Sequence, residues 1–125
     1  MKSALRSLFL LGFGLSLAAC GKDPEPTPDA GPSVGSVACY VADQFKCDEY
    51  PNATTMQHEN SAIACSSLSG MLSEPAACPT AEFVGKCTTG TGTDTHVERF
   101  YTGVDAAYNQ DFCVNTALGV WSTTF

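Results

Sequence analysis

Apolar residues change their spacing along the chain, and each change marks a different segment. Residues 8–17 form one apolar run without a charge, preceded by Lys2 and Arg6 and followed by two alanines. A basic start, an apolar centre and small residues in that order are typical of an export signal. The run holds ten residues, whereas a helix that spans a bilayer needs about 20. The pattern therefore predicts a signal peptide over residues 1–19.

Residues 20–36 carry few side chains that a core can use. Four of the chain's seven prolines fall within residues 24–32. Such a segment cannot bury enough surface to offset the entropy of ordering. Proline-rich linkers favour an extended conformation of about 3.1 Å per residue, which gives this one a reach of roughly 50 Å. We predict a tether that begins at Cys20.

From residue 37 onward, short apolar segments alternate with turn residues, which is typical of strands. Residues 37–41 and 45–50 predict two strands. Thr54, followed three positions later by Gln57, predicts a capped helix start. Gly70 predicts the left-handed end of that helix. The residues expected on one apolar face of the helix are Met56, Ile63, Ala64 and Leu68, with Cys65 beside them.

The remaining chain repeats this order. Residues 83–87 and 96–101 predict strands, separated by a loop rich in threonine and glycine over residues 88–94. Residues 104–118 have a helical period, with Asp105 near the positive end of the helix dipole and Gly119 as the stop. Residues 120–125 predict either a short final strand or an apolar segment over the core.

Two related halves, residues 37–74 and 75–125, account for this order. Phe45-Lys46-Cys47 matches Gly85-Lys86-Cys87, and Met71-Leu72-Ser73 matches Val120-Trp121-Ser122. We therefore predict a small disulfide-rich α+β domain over residues 37–125, built from two strand-strand-helix half-repeats.

Cysteine usage supports this prediction, because a domain of about 90 residues buries too little apolar surface to be stable on its core alone. The segment after the tether has six cysteines, an even number that predicts three disulfides in an exported chain. They are Cys39, Cys47, Cys65, Cys78, Cys87 and Cys113. Of the 15 possible connectivities, the repeat favours Cys47–Cys65 and Cys87–Cys113, with Cys39–Cys78 joining the halves.

Charge and motifs exclude several function classes. The predicted domain has three cations against ten carboxylates, which argues against nucleic acid as a partner, since basic charge drives that binding. The cysteine spacings contain no Cys-x₂-Cys pair, so we expect no structural metal. The chain also has no Gly-x-Ser-x-Gly elbow, no His-Glu-x-x-His and no phosphate-binding glycine loop. We expect a domain that is not an enzyme and needs no cofactor.

Leu17-Ala18-Ala19-Cys20 resembles the lipobox of bacterial lipoproteins. The resemblance implies that the Cys20 sulfur receives a diacylglyceryl group and becomes the acylated N-terminus of the mature chain. Two or more acyl chains anchor a protein stably where one does not. No aspartate follows Cys20 directly, which by the same resemblance implies sorting to the outer membrane of a Gram-negative bacterium. An ordinary secreted protein with Cys20 in a disulfide is the alternative.

A second resemblance concerns the domain. Cys78-Pro79, Val84-Gly85-Lys86-Cys87, Phe100-Tyr101, Cys113 and Gly119-Val120-Trp121 resemble a module of uncharacterised lipoproteins of Gram-negative bacteria. That resemblance implies a shared scaffold and no particular activity.

The expected function is therefore a structural or binding domain, anchored to the membrane through lipid on Cys20, with an envelope protein or a glycan as partner. The candidate binding residues are Thr88 and Asp94, which bound the predicted loop, and the aromatic Tyr101 and Trp121. Two alternatives stay open: a carbohydrate- or peptidoglycan-binding module, and an inhibitor of an exported hydrolase that presents the loop over residues 88–94.

Overall fold

Short strands separated by turns assemble into one antiparallel sheet with helical segments packed against it, as the α+β prediction requires. The computed structural model describes residues 31–125, so the predicted signal peptide, Cys20 and most of the tether lie outside the described residues. The elements are β1 Ser33–Val41, β2 Lys46–Thr54, α1 Thr55–Ser67, β3 Met71–Ser73, β4 Phe83–Thr89, β5 His96–Tyr101, α2 Ala106–Asp111 and β6 Val120–Ser122.

The strand order is β3-β1-β2-β5-β4-β6. The first half supplies β1, β2 and β3 and the second half supplies β4, β5 and β6, so the halves are arranged symmetrically about the central pair of β2 and β5. Each half contributes two long strands, a helix and a three-residue edge strand. The half-repeats are thus confirmed, and each gains a third strand. The first strand begins earlier than predicted, at Ser33 and not at residue 37, so the last residues of the predicted tether belong to β1. Of the two readings of the last segment, the structure has the short strand β6.

Both helices begin where side chains satisfy their free backbone N–H groups. The Thr54 hydroxyl accepts a hydrogen bond from the backbone N–H of Gln57, and the Gln57 side chain accepts one from the Thr54 N–H at 2.8 Å. This confirms the capping box. Asp105 caps α2 in the same manner, its carboxylate accepting from the Tyr108 N–H at 3.0 Å.

The helix ends differ from the prediction. Gly70 does not have the left-handed conformation; Ser69 does, with φ of 54°, and Leu118 has φ of 53° in the second half. The next residue, Gly70, donates to the Cys65 carbonyl at 2.8 Å, and Gly119 donates to the Cys113 carbonyl at 2.7 Å. In the first half this six-residue bond is the Schellman pattern, in which the left-handed residue comes one position before the donor. In the second half the bond spans one residue more, because the helical segment ends in a π-helical turn.

Close packing explains why the donor is glycine in both halves. A Cβ at Gly70 would lie 2.7 Å from Cys39 Sγ and 2.8 Å from Cys65 Sγ. A Cβ at Gly119 would lie 2.8 Å from Cys87 Sγ. Each glycine therefore makes room for the disulfide of its own half.

The disulfides are Cys39–Cys65, Cys47–Cys78 and Cys87–Cys113. The framework and the pair Cys87–Cys113 are confirmed, whereas the predicted pairs Cys47–Cys65 and Cys39–Cys78 are wrong. Successive side chains of a strand point to opposite faces of a sheet. In the register of β1 and β2, Cys39 lies opposite Asp48 and Cys47 lies opposite Tyr40, so Cys47 points away from the face that α1 covers.

The predicted correspondence between the two halves therefore paired the wrong cysteines. Cys39–Cys65 and Cys87–Cys113 each span 26 residues, and each joins the first strand of its half to the helical segment. Cys39 is the counterpart of Cys87, and not Cys47 as the match of Phe45-Lys46-Cys47 to Gly85-Lys86-Cys87 suggested.

Helix α1 turns a different face to the sheet from the one predicted. Met56 and Ile63 are 67% and 70% exposed, and Leu68 is also exposed. The buried positions are Ser61 and Cys65. The disulfide to β1 fixes the rotation of the helix, and the weak apolar pattern of its other residues does not oppose it.

The second helical segment is shorter and less regular than residues 104–118. Helix α2 is followed by a π-helical turn, Phe112–Thr116, and the Cys113 side chain points inward while Tyr108 and Phe112 are exposed.

The sheet face without helices carries a separate core. Ala38, Cys47 and Tyr101 are buried there against Phe83 and Cys78. The Cys47–Cys78 disulfide holds the segment that precedes β4 over this face.

Candidate functional site

One row of aligned residues crosses all six strands on the face that carries the helical segments. The register of neighbouring strands aligns it as Leu72, Cys39, Asp48, Glu98, Cys87 and Trp121. The row is symmetric, with an apolar residue, a cysteine and an acid from each half. The two acids meet at the centre, where the second strands of the halves pair.

A cation and a histidine hold these central acids. Lys46 Nζ lies 3.1 Å from Asp48 Oδ2 and 3.0 Å from Glu98 Oε1. The other Asp48 oxygen lies 3.2 Å from His96 Nε2. The Tyr50 ring stacks on the His96 ring with centroids 4.7 Å apart. All five side chains are at alternate positions of β2 and β5, and therefore on the same face.

The electrostatics favour the charged forms of the central pair. Burial by itself lowers the pKa of Lys46, but the Asp48 and Glu98 carboxylates outweigh it, so the pKa is raised. Burial by itself raises the pKa of Asp48, but the hydrogen bond from His96 and the charge of Lys46 outweigh it, so that pKa is lowered. Burial, with the neighbouring carboxylates, raises the pKa of Tyr50. At neutral pH the cluster is an ion network beside a neutral phenol.

A cavity of about 400 Å³ opens between α1 and the central strands, directly over this cluster. Its floor is made by the five side chains just described, and its wall by the inward side of α1. The lining residues from α1 and its C-cap are Gln57, Asn60, Ser61, Ala64, Cys65 and Leu68, and Cys39 of β1 also contributes. We call this cavity the α1 cleft. Its volume falls within the range of roughly 300–1,000 Å³ that is typical of small-molecule sites.

The loop before β5 is hydrogen-bonded to Gln57, which lines the cleft, and to Asn52 of β2. The Gln57 side chain donates to the Thr93 carbonyl at 2.9 Å, and the Asn52 side chain donates to the Gly92 carbonyl at 3.3 Å. These bonds hold the loop against α1 and β2.

The second half fills the corresponding space with aromatic side chains. Phe100 stacks on Trp121 with ring centroids 5.7 Å apart, and Trp121 lies over Gly85, where a Cβ would be 2.1 Å from the indole. The residues in equivalent positions of the first half are Tyr50, Leu72 and Val37. The smaller Leu72 and the polar Tyr50 leave the first half open where the second is packed.

The residues predicted to bind do not form one site. Tyr101 is 2% exposed and donates its hydroxyl to the Pro79 carbonyl at 2.9 Å, on the face opposite the cleft. Trp121 belongs to the packed half. Thr88 is part of β4, between β5 and β6, and Asp94 is exposed in the loop before β5. Tyr101 is therefore buried in the core, and Trp121 is half-buried against the core of the second half.

The residues that line the cleft floor were missed by the sequence analysis. Lys46, Asp48 and Tyr50 alternate on one predicted strand, as do His96 and Glu98 on another. That alternation of polar residues was visible in the sequence. What the sequence did not reveal is that β2 and β5 become neighbours at the centre of the sheet.

Within residues 31–125, no group of three or more histidine, cysteine or acidic side chains is placed to hold a metal ion. Over the same residues, no helix is long and apolar enough to cross a membrane.

Comparison of the chain with protein-family models, with curated proteins and with solved structures finds no match.

Proposed function

We propose that this chain is a lipid-anchored protein of the bacterial outer membrane whose disulfide-stabilised domain binds a small ligand in the α1 cleft. The Leu17-Ala18-Ala19-Cys20 motif and the proline-rich segment after it support the anchor and the tether. Three disulfides are compatible with an extracellular or periplasmic location. In such a protein the tether carries the cleft away from the bilayer surface.

One observation carries the binding proposal, namely the asymmetry between two otherwise matched halves. The second half fills the space between helix and sheet with Phe100 and Trp121. The first half leaves a cavity of about 400 Å³ with a polar floor at the same place. An open polar cavity costs packing energy, since atoms that line a void lose their contacts. A bound ligand would restore those contacts.

The arrangement supports binding rather than catalysis. Both Asp48 oxygens are engaged, one by His96 and one by Lys46. Lys46 is held in its charged form between two carboxylates. Groups fixed in this way position hydrogen bonds and have little freedom to transfer a proton.

The anchor is tested on the full chain expressed in a Gram-negative bacterium. The intact mass of the membrane-extracted protein is predicted to show loss of residues 1–19 and addition of acyl chains, and a Cys20→Ser variant is predicted to lack them. A mature protein with an unmodified Cys20 would overturn the anchor.

The cleft is tested by filling it. Ala64→Leu adds bulk inside the cleft at an exposed helical position, and Ser66→Leu adds more bulk at an exposed position of α1 outside it. Small-molecule binding to the acylated chain is measured by ligand-observed NMR across a fragment set. Fragments that bind the Ser66→Leu variant but no longer bind the Ala64→Leu variant would support the cleft. Fragments whose binding is unchanged by Ala64→Leu would contradict it.

A further inference from the structure

We infer that the ligand of the α1 cleft is a neutral saccharide, a sugar whose hydroxyl or acetamido groups bond to Glu98, Lys46 and Asn60. This inference rests on the proposed function, because it names the chemical class that the cleft takes.

Free donors and acceptors are interleaved in the cleft. Glu98 uses Oε1 for Lys46, and within residues 31–125 its Oε2 has no hydrogen-bond partner. Lys46 has three donors, of which two point to carboxylates. Asn60 and Ser61 line the wall, and neither side chain bonds to another described residue. Hydroxyl groups both donate and accept, so a polyol matches this mixed set better than a ligand with donors or acceptors alone.

Net charge argues against an anionic ligand. Asp48 and Glu98 place two carboxylates in the floor against the one ammonium of Lys46. Side chains in the cluster are only about a quarter exposed, from 23% for Asp48 to 27% for His96, so water screens them incompletely. A carboxylate or phosphate would meet net repulsion.

The same geometry argues against a cationic ligand. The position between the two acids is where an ammonium would bind, and Lys46 Nζ already occupies it at 3.0 and 3.1 Å. An incoming amine would have to displace a cation that the chain supplies itself. A neutral ligand needs no such displacement.

Apolar surface in the cleft suits the C–H face of a sugar ring. Tyr50 lies in the lining with its ring stacked on His96. Ala64 and Leu68 add aliphatic surface from α1. A few polar groups set beside aromatic and aliphatic surface are the usual composition of a small-molecule site.

A matched series of sugars tests the inference on the full acylated chain, kept in a detergent without a sugar headgroup. The probes are the methyl β-glycosides of glucose and N-acetylglucosamine, which are neutral, of glucosamine, which is cationic, and of glucuronate, which is anionic. Saturation-transfer NMR measures each with the unchanged chain and with Glu98→Gln, Asn60→Ala and Ala64→Leu. The control variant is Glu59→Gln, an exposed change on α1 outside the cleft. Thermal melting checks that each variant is folded.

The expected result is binding of the neutral glycosides, weakened about tenfold by Glu98→Gln, as loss of a hydrogen bond to a charged group implies. Ala64→Leu is expected to abolish the binding and Glu59→Gln to leave it unchanged. Asn60→Ala is also expected to weaken the binding. Because Asn60 is exposed, this change does not affect the core.

Two other outcomes overturn the inference in distinguishable ways. If the neutral glycosides fail while the charged ones, or non-sugar fragments, bind and are lost in Ala64→Leu, the saccharide assignment is wrong and the cleft remains a binding site. If no probe or fragment is sensitive to Ala64→Leu, the proposed function fails together with the inference.

Discussion

Asp48 and Glu98 occupy equivalent positions in the two halves and lie directly opposite each other across the central strand pair. Like charges placed opposite each other on a sheet are destabilising. The chain offsets this with Lys46, whose ammonium lies between the two carboxylates. The repeat thus brings two acids together at the centre of the sheet, and a cation is needed between them. Only the first half supplies that cation, because the position equivalent to Lys46 on β5 is His96.

Replacing Lys46 by methionine should destabilise the fold. The variant keeps most of the side-chain volume but leaves Asp48 and Glu98 facing each other without a cation, and we expect a loss of about 1–2 kcal/mol at pH 7. The loss should shrink below pH ~4, where carboxylates take up protons. Urea unfolding at the two pH values measures it. Lys86→Met, on β4, is the control and should change stability by less than about 0.5 kcal/mol. Equal losses at both pH values would contradict the charge explanation.

Tyr101 should make the fold sensitive to alkali. Burial above all raises its pKa to about 12, against about 10 in an unfolded chain. Because the folded pKa is the higher one, the contribution is intact below pH ~10 and is lost as the pH rises towards 12. About two pKa units correspond to a loss of roughly 2–3 kcal/mol over that window.

Phenolate absorbance and urea unfolding between pH 9 and pH ~12 measure this effect. Tyr101→Phe should remove the latest-ionising phenol and flatten the loss of stability, at the expense of about 1 kcal/mol at neutral pH for the bond to Pro79. Tyr108→Phe, which changes an exposed ring, should leave the alkaline loss of stability unchanged. A Tyr101→Phe chain with the same alkaline loss would show that another group is responsible.

The disulfide Cys47–Cys78 should stabilise the domain independently of the two repeat-related ones. It lies on the sheet face without helices and spans 31 residues, for which loop-closure entropy gives about 3–4 kcal/mol. Peptide mapping without reduction should find it, and the double variant Cys47→Ala/Cys78→Ala should lose about that free energy of unfolding while the other two bridges still form. Recovery of a Cys47–Cys65 peptide would refute the pairing.

At the end of α1, introducing a glycine at one position and removing a glycine at the next should have opposite effects on stability. Ser69 has positive φ, where glycine is favoured by about 1 kcal/mol, so Ser69→Gly should stabilise. Gly70→Ala should destabilise, because the new methyl group would meet both sulfurs of Cys39–Cys65. Leu118→Gly is the matched test in the second half and should also stabilise, since its side chain is 84% exposed. Thermal melting ranks the variants, and a loss in both Ser69→Gly and Leu118→Gly would contradict the assignment of the left-handed residue.

Local signals predicted local structure well. The Thr54 capping box needs only four consecutive residues, and the strands around Cys39 and Cys87 need only β-branched and aromatic content. The prediction of the buried face of α1 was wrong because the helix has few apolar residues at helical spacing. A disulfide, and not hydrophobic burial, sets its rotation.

Features that depend on distant pairing were beyond the sequence. Cys39 and Cys47 look interchangeable in the chain, and only the register of β1 with β2 places them on opposite faces. In the same way, Asp48 and Glu98 become one cluster only when β2 pairs with β5. The candidate site therefore follows from the topology. Tyr101 and Trp121 were predicted as binding residues because they are aromatic, but Tyr101 is buried and Trp121 is half-buried against the core of the second half.

The most direct test of the α1 cleft is amide chemical-shift mapping of the full chain with the methyl β-glycoside of N-acetylglucosamine at millimolar concentration. We predict that the largest shifts occur in β2, β5 and α1, around Asp48, Glu98 and Asn60. Shifts that cluster on α2 and β6 would contradict the α1 cleft as the binding site, and the absence of any shift would contradict the saccharide assignment.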